Sequence, residues 1–182
     1  MLKESKNKII TEMSISAALA FVLHLFIIIK MPSGGSATLG DLPIIIFSFR
    51  HGAKLGILLG AIYGLTKIFF GFHMPPVINL VFLILIFLLD YIIANMCLGL
   101  SSIFSEKNEK KLSKILLGIS LSYLLKFICH VISGFTIWKT VFSSQTLIFV
   151  AAYNLAYILP EMFVICVIYS LIFKTEIFKN KK

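Results

Sequence analysis

The sequence predicts an all-α integral membrane protein, a small polytopic helical bundle forming one membrane domain over residues 1–182, and three observations carry that reading. Fifty-nine percent of the 182 residues are hydrophobic, against roughly 45–50% in soluble domains. The mean hydropathy is +0.99, more apolar surface than one water-soluble core of this size can hide. The 17 basic residues against 8 acidic ones fall between apolar runs. They form no basic stripe interleaved with aromatics, so the net charge of +9 reads as loop charge in a lipid bilayer and excludes a nucleic-acid binder.

Each segment follows from the length a helix needs to cross hydrocarbon, roughly 20 apolar residues. The first span covers 9–30. It is long, and it lacks a small-residue cleavage site before more apolar spans, so it is expected to stay in place. Within it, Ser14 and Ala18 stand four apart beside Ala17 and Ala20, a small-residue face that lets an internal helix or a separate subunit approach closely. The second segment, 42–50, is too short to span alone. Pro43 suits its first turn, and its ends need protein or a cavity around them, because lipid cannot satisfy bare backbone. Segments 52–71, 76–104, 112–138 and 145–173 complete a six-helix bundle.

Orientation comes from the loops. With the N-terminus inside, Lys3, Lys6, Lys8, Arg50, Lys54, Lys107, Lys110, Lys111, Lys114, Lys174, Lys179, Lys181 and Lys182 are cytoplasmic, whereas only Lys30 and Lys139 lie outside. This bias fits an even number of crossings with both termini cytoplasmic. The outer loops are then the Gly- and Ser-rich 31–41, able to fold back over the bundle, 71–76, and 138–146, which begins with the single tryptophan, Trp138.

Polar groups inside the spans are the candidate functional residues, since a charge near the bilayer centre is rare and is paired or functional. Asp90 lies well inside the fourth span. Lys126 and His130 share a face of the fifth at i, i+4, and Trp138 continues it. Asn154 and Glu161 share a face of the sixth, with Tyr157 between them. Three spans thus turn polar stripes toward a common interior. Lys126 and Glu161 lie at similar depth and read as a structural ion pair, with Asp90 as another partner for Lys126. His130 reads equally as a satisfied interior histidine, and Trp138 as an interfacial anchor. His24, His51 and His73 have no matched partners in the sequence. The three cysteines, Cys97, Cys129 and Cys166, lie in apolar runs without ligand spacing, so no metal or other cofactor is implied. There is no GxxxxGK[ST] loop, HExxH or GxSxG, hence no catalytic set and no nucleotide-driven step in the P-loop manner. A proton-coupled carrier using Asp90, Lys126 and Glu161 as a relay is a competing class.

These residues resemble the substrate-binding S components of energy-coupling factor (ECF) vitamin transporters, most closely the thiamine-specific ones. The resemblance covers roughly residues 10–173. It rests on TEMSISAALAF, PSGGSATLGDLPIIIFSFRHGAKLG, LLDYIIANMCLGLSSIF, LLKFICHVISGFTIW and YNLAYILPE. The Gly-rich loop and short helix mark the superfamily, while LLDY, KxxxH…W and YNxxYxxPE together point to thiamine. The resemblance implies a non-enzymatic, multi-pass cell-membrane subunit of an ABC-type importer. It captures thiamine from outside beneath the first loop, and works with a transmembrane coupling subunit and two separate ATPases. It also implies ligand contacts at Asp90, Tyr91, His130, Trp138 and Asn154, and a partner interface at Ser14 and Ala18. Thr38 stands where some members carry a carboxylate. Phe149 stands where some carry an aromatic with a hydroxyl, and the first loop lacks a tryptophan found in others. An S component for another vitamin or precursor, such as hydroxymethylpyrimidine or riboflavin, is the nearest alternative. A phosphate-bearing ligand calls for a basic pocket residue, for which the sequence offers Lys126.

Overall fold

The computed structural model describes residues 6–32, 34–74, 79–105, 111–137 and 146–174. Within them the chain forms six helices and one two-stranded ribbon: α1 (Lys6–His24), β1 (Ile27–Lys30), β2 (Ser36–Thr38), α2 (Asp41–His51), α3 (Ala53–Gly71), α4 (Leu80–Ser102), α5 (Leu112–Thr136) and α6 (Leu147–Lys174). Helices α3 to α6 are long and apolar enough to cross a membrane.

The bundle is turned outward in its hydrophobicity. Along α6, Leu155, Leu159, Phe163, Val167 and Leu171 are exposed at every fourth position, while Asn154, Tyr157, Glu161 and Tyr169 are buried. On α5, Leu117, Leu124, Ile128 and Ile132 face outward, and Ser122, Tyr123, Lys126 and Ser133 face in. Polar groups gathered inside an apolar exterior are what a lipid solvent selects.

The first span departs from its expected limits of 9–30. Helix α1 ends at His24, and Ile27–Lys30 pairs antiparallel with Ser36–Thr38, in the register Ile27↔Thr38, Ile29↔Ala37 and Lys30↔Ser36. A run of β-branched isoleucines suits a strand as well as a helix. Gly34 and Gly35, with φ of 90° and 85°, let the chain reverse where other residues would be strained. The expected outer loop 31–41 is therefore partly a hairpin. The starts of segments 76–104 and 145–173 and the end of 112–138, including Trp138, lie outside the described residues.

Helix α2 is buried along most of its length, with Asp41, Ile44, Ile45, Phe47 and Ser48 all nearly inaccessible. The Ser48 hydroxyl donates to the Gly99 carbonyl (2.6 Å) and lies 2.8 Å from Ser102 Oγ, which fastens α2 to the end of α4. Three glycines, Gly56, Gly60 and Gly64, form a seam on α3. A side chain at Gly56 would run into Ser48 of α2 and Gly99 of α4, and side chains at Gly60 and Gly64 into the Asn95 and Tyr91 backbones of α4. This G-x-x-x-G-x-x-x-G spacing allows two backbones to touch without side chains between them.

Helix α4 is not α-helical throughout. Phe87–Ile93 is a π-helical stretch, closed by the Ala94 N–H donating to the Leu89 carbonyl. π-Turns accommodate an extra residue and frequently mark functional positions. This one contains Asp90 and Tyr91.

Candidate functional site

A cavity of about 690 Å³ opens between the hairpin and the helices. Helix α1 contributes Phe21 and His24, the hairpin Lys30, Gly34 and Gly35, and α3 Lys67 and Phe70. Helix α4 adds Asp90 and Tyr91, α5 adds Lys126 and His130, and α6 adds Phe149, Tyr153, Asn154 and Tyr157.

The Asp90 carboxylate sits at the cavity wall, its side chain 17% exposed. Its Oδ1 lies 2.9 Å from His130 Nδ1, and its Oδ2 accepts from the Ser133 hydroxyl at 2.5 Å. Both partners come from one face of α5, and the π-stretch of α4 presents the carboxylate to them. Such a carboxylate is positioned yet still open to the cavity, so it can receive a cation or an amine donor. Tyr91 is tied down instead. Its hydroxyl donates to the Gly71 carbonyl (3.2 Å) and accepts from the His73 N–H (2.9 Å), which anchors the end of α3.

On α6, the Tyr157 hydroxyl donates to Asn154 Oδ1 (2.7 Å), while Asn154 Nδ2 donates to the Val150 carbonyl (2.9 Å). The amide keeps a second N–H and a further lone pair for a ligand. Tyr157 packs edge-on to His130, with ring centres 6.1 Å apart, and to Tyr153 at 6.4 Å. Together they make an aromatic wall. The same tyrosines hold the hairpin. The Tyr153 hydroxyl donates to the Gly34 carbonyl (2.8 Å), and a Cβ on Gly35 would stand 2.8 Å from the Tyr157 ring, so only glycine fits there. Phe149 lines the cavity close to its outer, exposed side.

A buried charge cluster runs back from the cavity wall at Lys126. Lys126 Nζ is 2.7 Å from Glu161 Oε2 and 2.5 Å from Asp41 Oδ2, with both carboxylates almost wholly inaccessible. Tyr123 donates to the same Asp41 oxygen at 3.1 Å. Glu161 in turn accepts the Thr38 backbone N–H at 2.9 Å. Asp90 therefore does not serve as the partner of Lys126. Thr38 is 2% exposed, and its side chain lies behind the cavity wall, 3.3 Å from His24 Nδ1. His24 also meets the Tyr63 hydroxyl at 3.2 Å, and His51 meets Glu12 at 2.7 Å. Two histidines without evident partners in the sequence thus have them in space.

Asp41 was not singled out in the sequence because it closes a loop rather than sitting within an apolar run. Its signal was its place at the start of a short buried helix. Tyr153 and Lys67 were not singled out either, although Lys67, like Lys126, falls within an apolar span. Ser14 and Ala18 lie on the exposed side of α1, away from the cavity, with the Ser14 hydroxyl folded back onto the Ile10 carbonyl at 3.0 Å. Among the described residues no group of three or more His, Cys, Asp or Glu side chains could hold a metal ion.

Comparison with known proteins bears on this arrangement. The family model described as "Thiamine transporter protein" matches residues 10–181. The chain is 28% identical over 190 positions to the thiamine transporter ThiT of Bacillus subtilis (strain 168), covering 96% of this chain and 95% of that one. Its fold is similar to that of ThiT from Listeria monocytogenes, with a TM-score of 0.76 at 22% identity over 93% of this chain and 94% of that one. It is also similar to a structure reported as the S component of a bacterial ECF transporter, with a TM-score of 0.70 at 14% identity over 98% and 100% of the two chains.

Proposed function

Since this chain belongs to the thiamine transporter family, a multi-pass membrane protein with the S-component fold, we propose that it captures thiamine from outside the cell for an ECF-type importer. The coupling subunit and two ATPases of that importer are separate chains, and this chain has no ATPase of its own. The cell membrane is its location, and both termini are cytoplasmic, in keeping with the Lys and Arg distribution between the loops.

The observation that carries the reading is Asp90, a carboxylate held by His130 and Ser133 while facing the cavity. Thiamine joins a cationic thiazolium to a hydrogen-bonding aminopyrimidine. Asp90 and His130 offer charge and hydrogen bonds to such a ligand, Asn154 a donor and an acceptor, and Tyr91, Phe149 and Trp138 aromatic surface. A cation against an aromatic face gains roughly 0.5–2 kcal/mol, more where water is excluded. Lys126, Glu161 and Thr38 act behind this set by holding the hairpin and α2 in place.

On the opposite flank, Ser14 and Ala18 present the small-residue face proposed to meet the coupling subunit. Exposed Ile15 and Leu19 flank them, and close helix approach needs a face of this kind. The decisive experiment is calorimetric titration of the detergent-purified chain with thiamine, with riboflavin and hydroxymethylpyrimidine as controls. Saturable binding of thiamine in the sub-micromolar range, weakened in Asp90→Ala, supports the reading. Binding of another vitamin in its place keeps the fold and discards the ligand.

A further inference from the structure

One ammonium group in the cavity wall is left unused by this reading. Lys67, on α3, lines the cavity with Phe70 from its own helix and His24 from α1. Its Nζ stands 5.3 Å from the centre of the Tyr63 ring. Such a ring face attracts a cation without neutralising it. The other charged groups deep in the cavity wall have close partners: Lys126 lies between Asp41 and Glu161, and Asp90 is hydrogen-bonded by His130 and Ser133. Among the described residues no carboxylate lies within ion-pair distance of Lys67.

A cation within a membrane bundle is costly unless it is paired or faces an aqueous or ligand path. Lys67 has the cavity, and so it addresses whatever the cavity holds. The site therefore makes two unlike demands on its occupant, negative at Asp90 and positive at Lys67. A purely cationic ligand answers the first and is repelled by the second. A ligand bearing an anionic substituent beside its cationic ring answers both.

We propose that Lys67 is a further specificity-determining residue, weakening the hold on a bare cation and favouring an anionic substituent of the phosphate monoester class on the same molecule. This rests on the thiamine reading, where the substituent would be carried by the side-chain hydroxyl. A phosphate monoester brings between one and two negative charges and three strong acceptor oxygens, and lysine meets it as a point charge. Unit charges roughly 8–10 Å apart in a protein interior change an affinity by about tenfold or more.

The test compares three ligands on the purified full chain by calorimetry: thiamine, thiamine monophosphate and a neutral deaza isostere of the thiazolium. In Lys67→Met the expected result is tighter binding of thiamine relative to the neutral isostere, and about tenfold weaker binding of the monophosphate relative to thiamine. Lys67→Arg keeps the wild-type order. Lys67→Gln reads the same differences should the methionine variant fail to fold. An equal change for all three ligands assigns Lys67 to packing and overturns the proposal. So does inorganic phosphate that raises the affinity for thiamine in the unaltered chain, which would assign the lysine to a free anion. If thiamine binds and only the selective differences are missing, this inference falls alone. If neither thiamine nor its monophosphate binds the unaltered chain, the thiamine reading and this inference fall together.

Discussion

The Asp90 carboxylate and the His130 ring, 40 positions apart in the chain, stand 2.9 Å from each other at the cavity wall. The pair joins the π-stretch of α4 to the inward face of α5. It is only partly buried, so a change there reaches a ligand before it reaches the bundle. In Asp90→Asn a charge-assisted contact is replaced by a neutral one. The expected result is roughly ten- to hundredfold weaker thiamine binding by calorimetry, with the thermal midpoint in detergent nearly unchanged.

Lys126 behaves in the opposite way. Its removal leaves Asp41 and Glu161 facing each other in the interior without a counter-charge. Lys126→Met should therefore lose about 3–5 kcal/mol of stability, seen as a large drop in the thermal midpoint. Adding Asp41→Asn and Glu161→Gln to the same chain should recover much of that loss, because it removes the stranded charges.

The hairpin is held over the cavity by the Tyr153 hydroxyl on the Gly34 carbonyl. Tyr153→Phe keeps the aromatic packing against Tyr157 and deletes that bond. Bound thiamine should then leave roughly two- to tenfold faster in a stopped-flow displacement experiment, matching the net worth of one hydrogen bond.

At the glycine seam the limit is steric. A side chain on Gly60 would overlap the Asn95 carbonyl, and backbone cannot yield as a flexible side chain can. Gly60→Leu should give a chain that elutes as aggregate on size exclusion, whereas the reverse exchange at an exposed position of the same helix, Leu65→Gly, should elute as the parent does.

Ala18 tests the other flank. Because it is exposed on α1 and distant from the cavity, Ala18→Trp should leave thiamine affinity within about twofold, as surface changes generally do. Capture of the coupling subunit in a pull-down should be lost.

The apolar runs made the membrane bundle legible in the sequence, since a helix in lipid needs little beyond length and hydrophobicity. Asp90, His130 and Asn154 stood out because polar groups inside such runs are rare, and the structure brings all three to one cavity. Hydropathy reads Ile27–Lys30 as more of the first span because it measures apolarity and not backbone geometry. Asp41 was missed because its partner lies 85 positions away on α5, and nothing local announces a long-range ion pair. Lys67 was missed for the converse reason: what sets it apart is the lack of a carboxylate, which only the assembled bundle can display.

The π-stretch of α4 has a consequence for how the chain can change. Each residue of an α-helix turns its successor by about 100°. Deleting one residue within Phe87–Ile93 would let the helix close into ordinary α geometry at small cost in composition. Because the π-stretch absorbs its extra residue as a bulge, Leu80–Ile86 and Ala94–Ser102 would keep their faces, and only the backbone around Asp90 and Tyr91 would be drawn back. The length of this one segment thus sets how far Asp90 and Tyr91 are pushed out toward the ligand, and it can change by one residue while the helix-to-helix contacts on either side stay the same.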